Sequence, residues 1–199
     1  MPLIRPILDE SFSDNNYIVA NELKMSADNI KTISKYVVNE LKCVYFNARS
    51  IVNKIDELQL LLEAEHPDVI GISETWLKET ILDNELNVND YNIYRHDRVN
   101  KIGGGVLLLV QKSIKTIIRE DLTNKFNEIV WCDLITRNRK LVIGVCYRSP
   151  SITIEDDNSL YDLLNVVSKE NIILMGDFNF GNSIDWKSNV SHGQGKIFL

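Results

Sequence analysis

The stretch that most constrains this chain is Ile172 to Asn179, Ile-Ile-Leu-Met-Gly-Asp-Phe-Asn. Four consecutive apolar residues closed by Gly176 read as a short strand buried on both faces. Asp177 and Asn179 follow two residues apart, and in extended geometry such side chains point the same way. A carboxylate able to accept a proton would then lie beside an amide able to bond an oxyanion. A strand running into an Asx-type turn accounts for the same residues without chemistry. What favours chemistry is that three other apolar strands stop at polar groups of matching type.

The first of these, Leu41 to Phe46, ends at Asn47. Ile51, Ile55, Leu58, Leu61 and Leu62 then mark one face of a helix that ends near His66-Pro67. The second strand, Asp68 to Ser73, runs into Glu74-Thr75-Trp76-Leu77. A strand, a helix and a strand within about thirty residues have the size of a crossover unit, which puts both strands in one sheet. Tyr91 to Tyr94 reads as an edge strand. Gly103-Gly104-Gly105 lacks the Gly-Lys-Ser/Thr of a phosphate cradle and reads as a hairpin approach to Val106–Gln111. Strands follow at Ile114–Ile118, Glu128–Ile135 and Lys140–Tyr147, the last two joined by a turn at 136–139. Tyr147 ends the third polar-stopped strand, and Pro150 prevents further pairing. Ser159 to Ser168 is expected to be a helix with Leu160, Leu163, Leu164 and Val167 inward. Upstream, residues 1–24 read as a weakly ordered lead-in. Ile30, Ile33, Val37, Val38 and Leu41 follow helical spacing behind a capping Asp28. The division is therefore an N-terminal extension, 1–42, with one amphipathic helix, and a domain over 43–199. Strands with interspersed helices imply a mixed sheet covered by helices, an α/β fold.

Composition narrows the class. Apolar residues at 44% and charged residues at 25% are those of a folded domain with a real core. The formal charge of -6 argues against a generic nucleic-acid coat. Between Arg95 and Arg148, however, eleven basic residues meet five acids, so that segment is +6 and the remainder -12. Cys43, Cys132 and Cys146 are far apart, each in an apolar run, with no zinc-ligand spacing, and read as buried reduced thiols. The N-terminus has no signal-like apolar region and no run reaches membrane-spanning length, so an intracellular protein with no membrane partner is expected.

Each polar strand end has a plain alternative. Glu74 is a hard oxygen donor suited to Mg²⁺ or Mn²⁺, or else a helix-cap acid. Tyr147 is a site residue or a half-buried strand aromatic. Asn47 is a site residue or the cap of the helix after it.

Five words of this sequence resemble the endonuclease/exonuclease/phosphatase superfamily, and within it the apurinic-type endonuclease domain of non-LTR retrotransposons. They are Phe46-Asn47-Ala48-Arg49-Ser50, Ile72-Ser73-Glu74-Thr75-Trp76-Leu77, Gly103-Gly104-Gly105-Val106, Val145-Cys146-Tyr147-Arg148-Ser149-Pro150 and Met175-Gly176-Asp177-Phe178-Asn179, in family order. Ile184-Asp185-Trp186 also fits the retrotransposon branch. The resemblance runs from about Cys43 onward. It implies a four-layer α/β sandwich of the DNase I-like kind. It implies that Glu74 is the metal-binding carboxylate, for Mg²⁺ with Mn²⁺ as a substitute, and that no small-molecule cofactor is used. Asn47 would sit beside metal and phosphate, Tyr147 would contact the phosphate, and Arg148 would bind substrate. Asp177 would orient or deprotonate the attacking water, and Asn179 would support the transition state. The implied partner is DNA, and the implied reaction nicks one strand, in the nucleus, to leave a 3′-hydroxyl that primes reverse transcription.

The resemblance also implies later residues, a further Asp and a terminal Ser-Asp-His, that have no match before Leu199. Part of the second sheet is then expected to be missing, leaving the inner face of the first without its partner. Several hundred Å² of lost burial would cost on the order of 10 kcal/mol at roughly 25 cal/mol per Å². Of the histidines, His66 reads as a surface helix end and His96 as part of a DNA-facing loop, while His192 lies too early to match the catalytic one. Two alternatives follow: a non-catalytic fragment that binds DNA or protein, and a cellular repair nuclease or other phosphodiesterase on the same scaffold.

Overall fold

The computed structural model describes residues 41–99, 101–135 and 140–180 in full, and the backbone of 17–20, 34–38, 184–185 and 190–191. In chain order the strands are β1 (Tyr17–Ala20), β2 (Ser34–Val38), β3 (Leu41–Asn47), β4 (Val69–Ser73), β5 (Tyr91–His96), β6 (Val106–Gln111), β7 (Lys115–Ile118), β8 (Ile129–Ile135), β9 (Lys140–Tyr147), β10 (Ile172–Asp177), β11 (Ile184–Asp185) and β12 (Val190–Ser191). The α-helices are α1 (Ile55–Glu65), α2 (Glu120–Thr123) and α3 (Ile154–Val167). They build one five-stranded sheet in the order β2-β3-β4-β6-β5 and a second in the order β1-β10-β9-β8-β7, with β11 and β12 forming a separate small hairpin.

The crossover unit read from the sequence is present. β3 and β4 are parallel, in register from Cys43 opposite Val69 to Asn47 opposite Ser73, and α1 connects them. In the second sheet β9 and β10 are likewise parallel, joined by α3, with Asp177 opposite Tyr147. This helix begins five residues earlier than the apolar spacing suggested, because the Thr153 hydroxyl accepts the amide of Asp156 at 3.1 Å and caps it. β5 is an edge strand, as its half-polar sequence implies.

Three apolar layers hold the assembly together. Leu58 and Leu61 of α1 bury against Val44, Phe46, Ile70, Ile72, Leu107 and Leu109 on the outer face of the first sheet. Leu160, Leu163, Leu164 and Val167 of α3 bury against Trp131, Val142, Ile172 and Leu174 on the outer face of the second. Between the sheets lie Cys43, Val69, Val106, Leu108 and Val110 from one side and Val130, Cys132, Ile143, Val145, Ile173 and Met175 from the other. Helix, sheet, sheet, helix is the four-layer α/β sandwich. The strict alternation of these residues along each strand is the period-two signature of a sheet whose two faces serve different layers. The three cysteines are buried and free, as expected, and burial pushes the thiols of Cys43 and Cys132 up to about 12.

Two expectations need correction. Of the predicted helix from Asp28 to Leu41, residues 28–33 lie outside the described residues, but Ser34–Val38 is the strand β2, antiparallel to β3 with Val38 opposite Leu41. Tyr36-Val37-Val38 favours an extended chain, and the exposed edge of β3 supplies its hydrogen bonds, so pairing overrides the helical spacing. Nor is the inner face of the first sheet left without a partner: Cys43, Tyr45, Val69, Val106, Leu108 and Val110 are buried against Val130, Cys132, Ile143, Val145, Ile173 and Met175 of the second. The extension itself adds a strand to the second sheet, β1, which runs parallel to β10 with Tyr17 opposite Ile173 and Ala20 opposite Gly176. The turn at 136–139 and His192 lie outside the described residues.

Candidate active site

The site follows from that alternation. Cys43, Tyr45 and Asn47 on β3, Ile143, Val145 and Tyr147 on β9, and Ile173, Met175 and Asp177 on β10 are successive same-face positions. The apolar layer between the sheets therefore ends, on three strands at once, in Asn47, Tyr147 and Asp177. Glu74 is the first residue beyond β4.

Asn47 joins the two sheets. Its Nδ2 donates to Glu74 Oε1 at 3.0 Å and to Asp177 Oδ2 at 2.9 Å, while its Oδ1 accepts the Arg49 amide at 3.1 Å. It thus shares one neutral donor group between two carboxylates from different sheets, and it does not cap α1. Tyr147 is 6% exposed. Burial first, then the Glu74 and Asp177 carboxylates, push its pKa well above the usual tyrosine value, and the Arg98 guanidinium 5.4 Å over its ring opposes them. The phenol is therefore a protonated donor at neutral pH.

The turn after β10 is not extended. The Asn179 amide donates to Asp177 Oδ1 at 3.2 Å and Asn179 has φ +49°, the Asx-type geometry that competed with the extended reading. One donor of its side-chain amide is engaged with the Arg148 carbonyl at 2.8 Å. Asn47, Glu74 and Asp177 are hydrogen-bonded together, and Tyr147 stands in register with Asp177. Asn179 is held just behind them.

Arg148 is a correction. Expected on the substrate, it is 3% exposed and turned into the second sheet's outer layer. Its Nε and Nη2 donate to Asp157 Oδ1 and Oδ2, each at 2.6 Å, its Nη1 donates to the Phe178 carbonyl at 3.2 Å, and its guanidinium lies 4.3 Å from the Phe180 ring. The planar fork meets a carboxylate on α3 with two donors and a backbone carbonyl with a third, which satisfies the guanidinium inside the fold. Its service to the site is structural, since its own amide donates to the Asp177 carbonyl at 2.9 Å.

Several neighbours escaped the sequence reading. The Tyr45 hydroxyl pairs with Ser73 Oγ at 2.8 Å beneath the cluster, and both are buried. Tyr45 lies two residues before Asn47, so the same alternation could have found it. A cleft of about 1000 Å³ is lined by Trp76, Lys78, Glu79, Arg95, Asp97, Arg98 and Lys101, next to the turn that follows Glu74 but with none of Asn47, Glu74, Tyr147 or Asp177 in its lining. His66 is exposed at the left-handed end of α1, as expected. His96 closes β5, with Nδ1 3.3 Å from the Ile129 carbonyl, rather than standing free on a loop.

The donor set suits a hard divalent cation. Glu74 and Asp177 offer carboxylate oxygens around one amide, and the described residues contain no group of three or more His, Cys, Asp and Glu side chains placed to hold a metal. Mg²⁺ is commonly held by one or two carboxylates, with water and substrate phosphate completing its shell. No helix among the described residues is long and apolar enough to cross a membrane.

Two packed mixed sheets with outer helices, and a carboxylate–amide cluster where the strand ends of both sheets meet, define a DNase I-like α/β sandwich. The Endonuclease/Exonuclease/phosphatase family model matches residues 44–195, and the chain belongs to that family. Solved structures agree on the fold. The endonuclease domain of TRAS1, a telomere-specific non-LTR retrotransposon, is 16% identical with a TM-score of 0.52, over 69% of this chain and 58% of that one. The 3′-5′ exonuclease NExo from Neisseria meningitidis is 13% identical with a TM-score of 0.56, over 78% and 68%. The AP endonuclease LMAP from Leishmania major is 18% identical with a TM-score of 0.55, over 68% and 54%. The chain thus spans a little over half the length of the TRAS1 and Leishmania structures. A sequence comparison with curated proteins gives no match.

Proposed function

We propose that this chain hydrolyses a phosphodiester bond of DNA, nicking one strand in the manner of a retrotransposon endonuclease and acting in the nucleus. The observation that carries the reading is the Asn47 amide shared between Glu74 and Asp177, which brings two carboxylates from separate sheets to one point. Membership of the family supports phosphodiester chemistry, and the nearby cleft's Lys78, Arg95, Arg98 and Lys101, which outnumber its acids Glu79 and Asp97, support a nucleic-acid backbone as the ligand.

Glu74 would hold Mg²⁺, or Mn²⁺ in its place, with Asn47 beside it, and when bound the ion would supply positive charge to the developing negative charge of the phosphate. Asp177 accepts the proton of the attacking water, and Asn47, by donating to its Oδ2, holds that carboxylate in place. Tyr147, held protonated by burial and two carboxylates, donates to a phosphate oxygen. Asn179 has one side-chain N–H engaged with Arg148 and directs the other toward the charge of the transition state.

The test is nicking of supercoiled plasmid with Mg²⁺ by the purified chain and its Asp177→Ala variant. Removing a general base lowers the rate by about 10²–10⁴-fold, so the variant should leave the plasmid supercoiled while the parent relaxes it. Folded parent protein that leaves the plasmid intact would refute the catalytic reading and leave DNA binding, measured by its salt dependence, as the alternative.

A further inference from the structure

The geometry points to Glu128 as a positioning residue that, with Arg98, latches the two sheets together and sets the placement of Glu74 and Tyr147. This rests on the hydrolytic reading above. No motif of the sequence singles out Glu128. It precedes β8, is 8% exposed, and adopts φ +61°, a left-handed backbone that a glutamate tolerates poorly. Its carboxylate reaches across to the first sheet, where Oε1 accepts the Gly105 amide at 2.7 Å and Oε2 accepts Arg98 Nη2 at 2.5 Å. Its own carbonyl accepts the Tyr147 amide at 2.9 Å.

The peptide group that Glu128 grips is the one between Gly104 and Gly105. The carbonyl of the same peptide accepts the Trp76 amide at 3.0 Å, and the Gly105 carbonyl accepts the Thr75 amide at 3.3 Å. Glu128 therefore pulls on one end of a peptide whose other end holds the residues that follow Glu74. Glu74 and Trp76 have φ +49° and +57°, so the 74–76 turn is strained and depends on outside bonds for its shape. Glycine is required in the gripped loop. A Cβ on Gly104, at φ +72°, would fall 2.1 Å from Glu128 Oε1 and 2.4 Å from Arg98 Nε. Arg98 completes the device, since the guanidinium that pairs with Glu128 is the one over the Tyr147 ring. Glu128 thus reaches the loop that holds the 74–76 turn through its carboxylate and Tyr147 through its backbone carbonyl.

The experiment compares Glu128→Gln, Arg98→Met, Arg98→Lys and the double variant Glu128→Gln/Arg98→Met, all at a temperature where each is fully folded. Hydrogen exchange is read at the Trp76 and Gly105 amides, with Leu108 in the middle of β6 as the internal reference. A latch predicts exchange at Trp76 and Gly105 faster by about tenfold or more in Glu128→Gln, with Leu108 unchanged. In plasmid nicking, kcat should fall by about 10²-fold with KM for DNA little changed, as small displacements of positioned groups do. The double variant should be no worse than either single one, and Arg98→Lys should not restore activity because it lacks the fork. Unchanged exchange at Trp76 and Gly105, or acceleration shared equally by Leu108, would overturn the latch. If the parent chain does not nick DNA, the hydrolytic reading fails, while the exchange measurement still decides the latch.

Discussion

The buried pair Arg148–Asp157 separates the stability of this fold from the geometry of its site. Both oxygens of Asp157 face the guanidinium at 2.6 Å, and the two residues are 3% and 5% exposed. Asp157→Ala removes the carboxylate and leaves a guanidinium charge buried with two of its donors unpaired. Breaking such a pair from one side costs about 3–5 kcal/mol, mostly the penalty of the stranded charge. Against a total stability of about 5–15 kcal/mol for a domain, that is a large fraction. Equilibrium urea unfolding should show the midpoint falling accordingly with the slope unchanged.

The double variant Arg148→Met/Asp157→Leu should recover most of the loss, because apolar residues of similar volume remove the desolvation penalty along with the attraction. Nicking should nevertheless remain impaired in it. The Phe178 carbonyl loses its donor at 3.2 Å, and the Asp177–Asn179 turn loses the side chain that anchors it from behind. A cost for Asp157→Ala below about 1 kcal/mol, the range of exposed pairs, would refute the claim that this ion pair is desolvated. Full activity in the double variant would refute the claim that Arg148 serves the site by anchoring the turn.

Two further outcomes follow from the packing. A Cβ on Gly176 would fall 2.3 Å from the Cys146 carbonyl oxygen of the adjacent strand, which cannot yield without parting β9 from β10. Gly176→Ala should therefore cost at least about 1–3 kcal/mol by overpacking, read as a lowered Tm in thermal unfolding; an unchanged Tm would mean that the strands part freely. Burial holds Cys43 and Cys132 protonated up to about 12, against an ordinary value of 9.0. Below pH 9.0 their contribution is fully present, and between 9.0 and about 12 the unfolded chain releases protons that the folded chain keeps, so stability falls as pH rises. Urea unfolding on either side of pH 9.0 should show this fall, and Cys132→Ala should lessen its slope even though it lowers stability overall.

The layers of the fold were legible because the apolar periods are clean. Ile172–Met175 and Val69–Ser73 are buried throughout, and α1 and α3 present the leucines that their spacing announces. Asn47, Tyr147 and Asp177 were legible for the same reason, as polar residues in inward positions at strand ends. Ser34–Val38 was misread because Val37 and Val38 satisfy both a helical stripe and a strand, and the choice was made by the open edge of β3, which no local pattern reports. Arg148 was misread because a basic residue beside a site suggests a phosphate. Its partner Asp157 lies on the polar-looking first turn of α3, with nothing in the sequence to show that the turn is buried. Glu128 was invisible, since its meaning depends on Arg98 and Gly105, thirty and twenty-three residues away on the other sheet.

The backbone shows where these local rules fail together. Eight non-glycine residues among those described have positive φ. Two of them, His66 and Asn87, end a helical turn, where a left-handed residue is ordinary. The other six are Arg49, Ser50, Glu74, Trp76, Glu128 and Asn179, and all lie on the turns that follow β3, β4 and β10 or on the residue that latches them. Each such residue costs of order 1–3 kcal/mol and persists only where its surroundings over-determine it. Here the surroundings are the Asn47 amide between two carboxylates, the Gly104–Gly105 peptide between Glu128 and Trp76, and the Arg148 fork behind Phe178. The Asn47 amide also draws Glu74 and Asp177, from two different sheets, to one point, an arrangement of carboxylate oxygens that suits a divalent cation. Strand ends shaped by stability alone would relax the strain, so its coincidence with the paired carboxylates argues that these ends are shaped for binding charge.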